Sequence, residues 1–246
     1  AAYAEYVLAH RDTFSVVANL DVIPGVPGAA PSAADVERAA EQGWEHYEYL
    51  SKRFTGCPFV LLHAYHRGED PKWLRRLMDR TEYLAIGGIA VPGLMTAAKM
   101  EFLDRTMPLL VDGAGRPTRK VHGFGLTGLT LMERYPWYSV DSTSWLVVTR
   151  FGSCYVMLRG VPHVVTFSDR SPKVEEAAEH YTTLSRPEQD AVRAYVEGKG
   201  YTVEQLATDY VKRSELSVLF FMDLERSWVD RPWDGRGAQP AFHLGD

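Results

Sequence analysis

One carboxylate, Asp141, closes the apolar and aromatic run Tyr138-Ser139-Val140-Asp141, and the hydroxyl residues Ser142, Thr143 and Ser144 follow it directly. Burial of a carboxylate without partners raises its pKa or destabilises the fold, so the hydroxyls are expected to hydrogen-bond Asp141 and keep it ionised. An ionised, positioned carboxylate is a nucleophile. The same position also suits a structural Asp that caps the following turn.

Further polar or glycine positions lie at the ends of other apolar runs: Asp21, His63, Gly87-Gly88, and His122 with Gly123 and Gly125. If they converge, they suit a planar, polar heterocycle. Asp21 could take two N–H donors from one edge of such a ring, because carboxylates form strong paired hydrogen bonds; alternatively it closes an Asx-type turn ahead of Pro24. Gly87 and Gly88 leave room for backbone amides to meet a ligand carbonyl, or for tight helix–strand packing. His63 and His122 fit a ligand contact and a satisfied core histidine equally, whereas Phe124 and Trp137 read as core. His63, His66 and His122 with a carboxylate have zinc-compatible donors. They stand on separate strands and form no local motif, so the site is expected to hold no metal and the protein to need no cofactor.

The elements that must position these residues are strands and helices in alternation. The strand candidates are Phe14 to Asp21, Phe59 to Tyr65, Tyr83 to Ala90, Val121 to Leu126 and Tyr138 to Asp141, apolar nearly throughout as strands covered on both faces are. Between the first two, Val36, Ala40, Trp44, Tyr47, Leu50 and Phe54 recur at helical spacing after Ser32, a capping residue. Trp73 to Met78 after Pro71, Ala98 to Leu110, and Leu129 to Arg134 mark three more helices. Alternation of this kind predicts a parallel sheet, open or closed. Polar residues gathered at the C-terminal strand ends predict an α/β fold of the (β/α)8 barrel type. Neither a G-x-G-x-x-G opening a helix after the first strand nor a P-loop motif is present, which excludes the common dinucleotide and P-loop chemistries.

From Leu146 to Phe167 the pattern changes to a β-hairpin, Tyr155 to Arg159 and His163 to Phe167, turning at Gly160-Val161-Pro162. Pro172 to Trp228 reads as helical, with breaks at Ser185-Arg186-Pro187 and Gly198-Lys199-Gly200. Pro187 to Ser214 has a helix-turn-helix look but lacks a basic recognition face, so a plain helical hairpin is expected. The expected organisation is a barrel with hairpin over 1–170, a helical segment over 171–231, and a Gly/Pro-rich tail over 232–246.

With 246 residues, 46% of them apolar, the chain can bury a substantial core. No run is apolar for long enough to make a membrane helix, and no secretory leader opens the chain. The expectation is a soluble, cytoplasmic protein with no membrane partner. Cys57 and Cys154 have neither paired nor metal-like spacing, which fits a reducing compartment. The net charge of -5 argues against coating nucleic acid by bulk electrostatics. Two local basic groups, Arg75, Arg76 and Arg80, and Arg116, Arg119 and Lys120, read as solvated faces. The chain opens on Ala1-Ala2-Tyr3 without Met, as a processed chain or a fragment does.

The ordered set Asp21, Tyr83-Leu84-Ala85-Ile86-Gly87-Gly88-Ile89-Ala90-Val91, Val121-His122-Gly123-Phe124-Gly125 and Ser139-Val140-Asp141 resembles the tRNA-guanine transglycosylase superfamily over about residues 10 to 170. The glycine-rich strand is its most specific part. The resemblance implies Asp141 as the nucleophile and Asp21 as the carboxylate reading the guanine edge. It also implies amide contacts to the base from Gly87, Gly88 and Ile89, stacking by His122 beside Gly123, and a base contact near His63 with a register uncertain by one. Two features of the family are missing: the C-x-C-x2-C…H zinc site after residue 170, and the N-terminal barrel strands with a further catalytic Asp, which implies an N-terminally incomplete barrel.

Loss of the zinc module and the His-Gly-Phe-Gly and Tyr-Ser-Val-Asp-Ser-Thr-Ser-Trp wording are similar to the phage and bacterial branch that modifies DNA. That branch exchanges guanine for a 7-deazaguanine such as 7-cyano-7-deazaguanine, chemistry akin to the queuosine exchange on tRNA. The implied partners are DNA, or alternatively tRNA, and the free 7-deazaguanine base, in a host-cell cytoplasm if the chain is phage-encoded. A non-catalytic barrel that binds nucleobases or nucleic acid is the alternative of another class.

Overall fold

A computed structural model describes residues 2–26, 30–91, 93–126, 128–171 and 179–235. Internal contacts divide the chain into two units, Ala1–Asp141 with Pro232–Gly237 and Ser142–Arg231 with Ala238–Asp246.

In the first unit, helix α1 (Ala2–Ala9) precedes the first strand; it packs Ala4 and Val7 with Val17, Leu50, Phe54 and Phe59. Strand and helix then alternate as β1 (Val16–Ala18), α2 (Ala33–Arg53), β2 (Val60–Leu62), β3 (Ala64–His66), α3 (Pro71–Met78), β4 (Tyr83–Gly87), α4 (Thr96–Thr106), β5 (Lys120–Gly123), α5 (Leu129–Arg134) and β6 (Ser139–Val140). Ser32, the predicted capping residue, caps α2. Ser32 Oγ accepts from the Asp35 amide at 3.2 Å while the Asp35 carboxylate accepts from the Ser32 amide at 2.9 Å, a reciprocal box that starts α2. Asp70 caps α3, whose first turn carries Pro71, a residue that needs no amide partner there.

All strand pairs of this unit are parallel, β1 with β2 and then β3-β4-β5-β6. The single strand expected over Phe59 to Tyr65 is divided at His63. The Leu62 carbonyl accepts from the Asn19 amide on one side and the His63 carbonyl from the Ala85 amide on the other, so the ladder changes partner across one residue. Strand order follows chain order within each sheet. Crossovers of one hand between successive neighbours, the general rule for parallel strands, put the connecting helices on one face.

The packing agrees. Tyr65, Leu84, Ile86 and Val121 share a core with Trp44 and Tyr47 of α2, Leu74 and Leu77 of α3, Phe102 and Leu103 of α4, and Leu131 of α5. Each such fully buried large side chain contributes about 1.5–3 kcal/mol. Because strand side chains alternate, Leu62, Ala64 and Ala85 point the other way and form a small cluster with Tyr83 and Phe124, to which none of the described helices contributes.

In the second unit, α6 (Ser144–Arg150) leads into the expected hairpin, β7 (Ser153–Leu158) and β8 (Val161–Thr166). Its turn lies at Arg159-Gly160 and not at Gly160-Val161-Pro162: Leu158 pairs with Val161, and φ is 53° at Arg159 and 79° at Gly160. Positive φ at both central residues is what a two-residue turn between twisted strands requires. Helices α7 (Arg186–Gly198), α8 (Val203–Thr208) and α9 (Tyr210–Ser227) follow. Pro187 lies in the first turn of α7 rather than in a break, behind a Ser185–Glu188 capping box. Arg193 pairs with Glu197 and Glu204, so the α7–α8 hairpin presents mixed charge.

The hairpin belongs with these helices, against the expected boundary at residue 170, because Cys154, Val156, Val165 and Phe167 share one core with Val192, Val196, Leu206 and Leu216. Within the expected tail, the Trp233 amide donates to the Gly115 carbonyl at 2.8 Å and its ring packs on the first unit's main core; residues 236–246 lie outside the described residues. So does 172–178, the start of the expected helical segment. Among the described residues no helix is long and apolar enough to cross a membrane.

Candidate functional site

The sheet face opposite the helices carries the chemistry of the first unit. Alternation along β5 and β6 puts His122 and Ser139 on one face, and Asp141 follows two residues after Ser139. Asp141 Oδ1 accepts from the Gly125 amide at 2.6 Å and lies 3.6 Å from His122 Nε2. The neighbouring His122 ring and the Gly125 amide outweigh partial burial and hold the Asp141 carboxyl below the usual carboxylate range. Its side chain is still 59% exposed. The result is an ionised, reachable carboxylate whose partners come from β5 and the turn after it, where the sequence pointed to the hydroxyls that follow Asp141. Behind His122, Nδ1 meets Ser139 Oγ at 2.7 Å, and Ser139 Oγ meets the Tyr83 hydroxyl at 2.6 Å. The side chains of Tyr83 and Ser139 were not among the predicted site residues. Their signal was alternation: Tyr83 and Ser139 occupy positions that face away from the helices.

A second polar group centres on His66 at the end of β3. Its Nε2 lies 3.1 Å from Asp21 Oδ2 and its Nδ1 3.0 Å from Glu69 Oε1, while the Glu69 carboxylate also accepts from the His66 amide at 3.0 Å. Burial opposes the ring's charge, but the hydrogen bonds and charges of Asp21 and Glu69 prevail and raise its pKa to about 10. His66 is therefore an imidazolium donating to two carboxylates. Asp21, predicted to read a base edge, is tied to it through Oδ2, with the side chain 45% exposed.

His63 faces the other way. It is buried in the helix layer, its ring stacked on Tyr47 at 5.1 Å and edge-on to Trp44, with Nδ1 accepting from Asn19 Nδ2 at 2.9 Å. Burial is the largest cause of its lowered pKa, about 4, so the ring is neutral. The structure thus favours the core reading of His63 and puts His66, three residues on and of opposite parity, on the strand-only face. For the same reason the zinc-compatible set His63, His66 and His122 does not converge, and the described residues contain no cluster of three or more metal donors.

The glycines separate similarly. A Cβ on Gly87 would lie 2.5 Å from His66 Cδ2, so this glycine makes room for the imidazolium. Gly88 turns the chain with φ at 71°, and Ile89 buries its side chain in the helix-side core. Gly123 passes beside the Trp137 ring, where a Cβ would meet Cε3 at 3.2 Å. The basic groups are engaged locally: Arg76 lies over the Trp44 ring and pairs with Glu48, Arg119 pairs with Glu82, and Lys120 lies over the Tyr138 ring. No protein-family model matches the chain, and no curated protein matches it.

Proposed function

We propose that the chain is a base-exchange transglycosylase that replaces guanine in DNA by a 7-deazaguanine, with Asp141 as the nucleophile. The observation that supports this most is Asp141 itself, a carboxylate kept ionised by Gly125 and His122 at the end of a parallel strand, yet open on one side. Strands in chain order with helices on one face are also what an arc of a (β/α)8 barrel requires, and such barrels work from their C-terminal strand ends.

In this reading Asp141 attacks C1′ of the nucleoside. The C1′–N9 bond breaks with its electrons leaving on guanine, which takes up a proton. A covalent glycosyl ester then remains on Asp141. The incoming 7-deazapurine loses its N9 proton and attacks C1′ from the vacated side, restoring the carboxylate. Charge building on the sugar is stabilised by the same carboxylate, as in retaining glycosidases. The target base must first leave the stack, at a cost of a few kcal/mol. Asp21, His122 and the amides at Gly87, Gly88 and Ile89 are assigned to the base. The contact expected near His63 passes to His66, and Gly123 is a packing residue.

Exchange of labelled guanine or 7-cyano-7-deazaguanine into duplex DNA, run beside tRNA, tests the proposal. Incorporation into DNA that disappears in Asp141→Ala is expected. Incorporation into tRNA alone reassigns the substrate, and undiminished exchange in Asp141→Ala overturns the mechanism.

A further inference from the structure

Two partners on neighbouring elements, the Gly125 amide at 2.6 Å and His122 Nε2 at 3.6 Å, both address Asp141 Oδ1; in the proposed exchange the bond to the sugar forms at Oδ2. At 3.6 Å the His122 contact is electrostatic rather than a short hydrogen bond, so its sign depends on whether Nε2 carries a proton. That is decided on the other side of the ring.

Ser139 Oγ lies 2.7 Å from His122 Nδ1 and 2.6 Å from the Tyr83 hydroxyl. A serine hydroxyl has one proton to give. If Tyr83 donates to Ser139 and Ser139 to Nδ1, the ring proton sits on Nε2 and faces the carboxylate. The reverse polarity sets the Nε2 lone pair against an anion. Electrostatics select the first arrangement, and every donor in the chain then has an acceptor.

We infer that Tyr83 and Ser139 are positioning residues that fix His122 as the neutral Nε2–H tautomer and thereby hold Asp141 for attack through Oδ2. The catalytic consequence rests on the proposed base exchange; the tautomer does not. Three neighbouring strands, β4, β5 and β6, would supply this relay, so it also couples the nucleophile to the register of the sheet.

The test is nitrogen NMR of the imidazole of His122 in the full chain at neutral pH, in wild type, Tyr83→Phe, Ser139→Ala and Ser139→Thr. The wild type is expected to show a protonated Nε2 and an unprotonated Nδ1. Ser139→Ala is expected to mix the tautomers, and Ser139→Thr, which keeps the hydroxyl, to restore them. In the exchange assay Ser139→Ala should lower kcat on the order of tenfold, the size of one lost hydrogen bond, with KM little changed. A wild-type ring protonated on Nδ1, alone or together with Nε2, or tautomers unmoved by Ser139→Ala, overturns the inference. The predicted tautomers in a chain that exchanges no base sustain it and overturn the transglycosylase reading instead.

Discussion

Replacing His66 by Gln removes the charge that joins the end of β3 to the segment after β1. The imidazolium donates to Asp21 at 3.1 Å and Glu69 at 3.0 Å, and its pKa rises from 6.5 to about 10. A shift of that size is worth about 5 kcal/mol at about 1.4 kcal/mol per unit. Asp21 is 45% exposed, however, and water screens that partner, so a contribution of about 2 kcal/mol is expected.

Its sign follows from proton binding. The folded chain keeps a proton that the unfolded chain releases above its own pKa. The stabilisation is complete below about pH 6.5 and is lost as the pH rises from there through about 10. Urea unfolding followed by tryptophan fluorescence, with wild type and His66→Gln compared at several pH values across that window, measures it. The wild type should exceed the variant most at the acid end, with the gap closing towards about pH 10. A gap that is constant, or that widens with pH, refutes the clamp.

His63 predicts the opposite limb: neutral when folded, with its pKa lowered to about 4, it withdraws stability as the pH falls from 6.5, by up to about 3 kcal/mol. His63→Leu should flatten the acid limb of the same urea series. Gly87→Ala puts a Cβ 2.5 Å from the His66 ring and should cost about 1–3 kcal/mol. Because it breaks the same clamp, the double variant with His66→Gln should lose less than the two losses added, measured as a double-mutant cycle. Gly125→Ala meets a φ of 61° and the Ala90 Cβ at 2.4 Å; it should cost about 1–2 kcal/mol by thermal unfolding and lower base exchange by displacing the amide from Asp141.

What was legible in the sequence had local causes. Ser32 starts α2 through contacts within one turn, and Pro71 stands in the first turn of α3. The runs around Leu84 and Val121 are strands because both faces are covered or packed. The hairpin was visible from alternation, although its turn was misplaced by one residue because the Arg159 backbone, and not only Gly160, takes the left-handed conformation.

What was not legible depends on parity and on distant pairing. Nothing within Phe59 to Tyr65 announces that the strand changes partners at His63, and that exchange decides that His63 enters the helix layer while His66 faces outward. Gly87 looked like a ligand-facing glycine, but the ring it accommodates comes from another strand. Asp141 was identifiable by type and place, whereas its partners on β5 and the turn after it became identifiable only once the sheet register was known.

If Asp141 carries the sugar, incubating the full chain with end-labelled guanine-containing duplex DNA and running a denaturing gel reveals it. Wild type should give a labelled protein–DNA adduct that free 7-cyano-7-deazaguanine discharges, and Asp141→Ala none. An adduct of equal yield in Asp141→Ala, or base exchange in wild type without any adduct, contradicts that role.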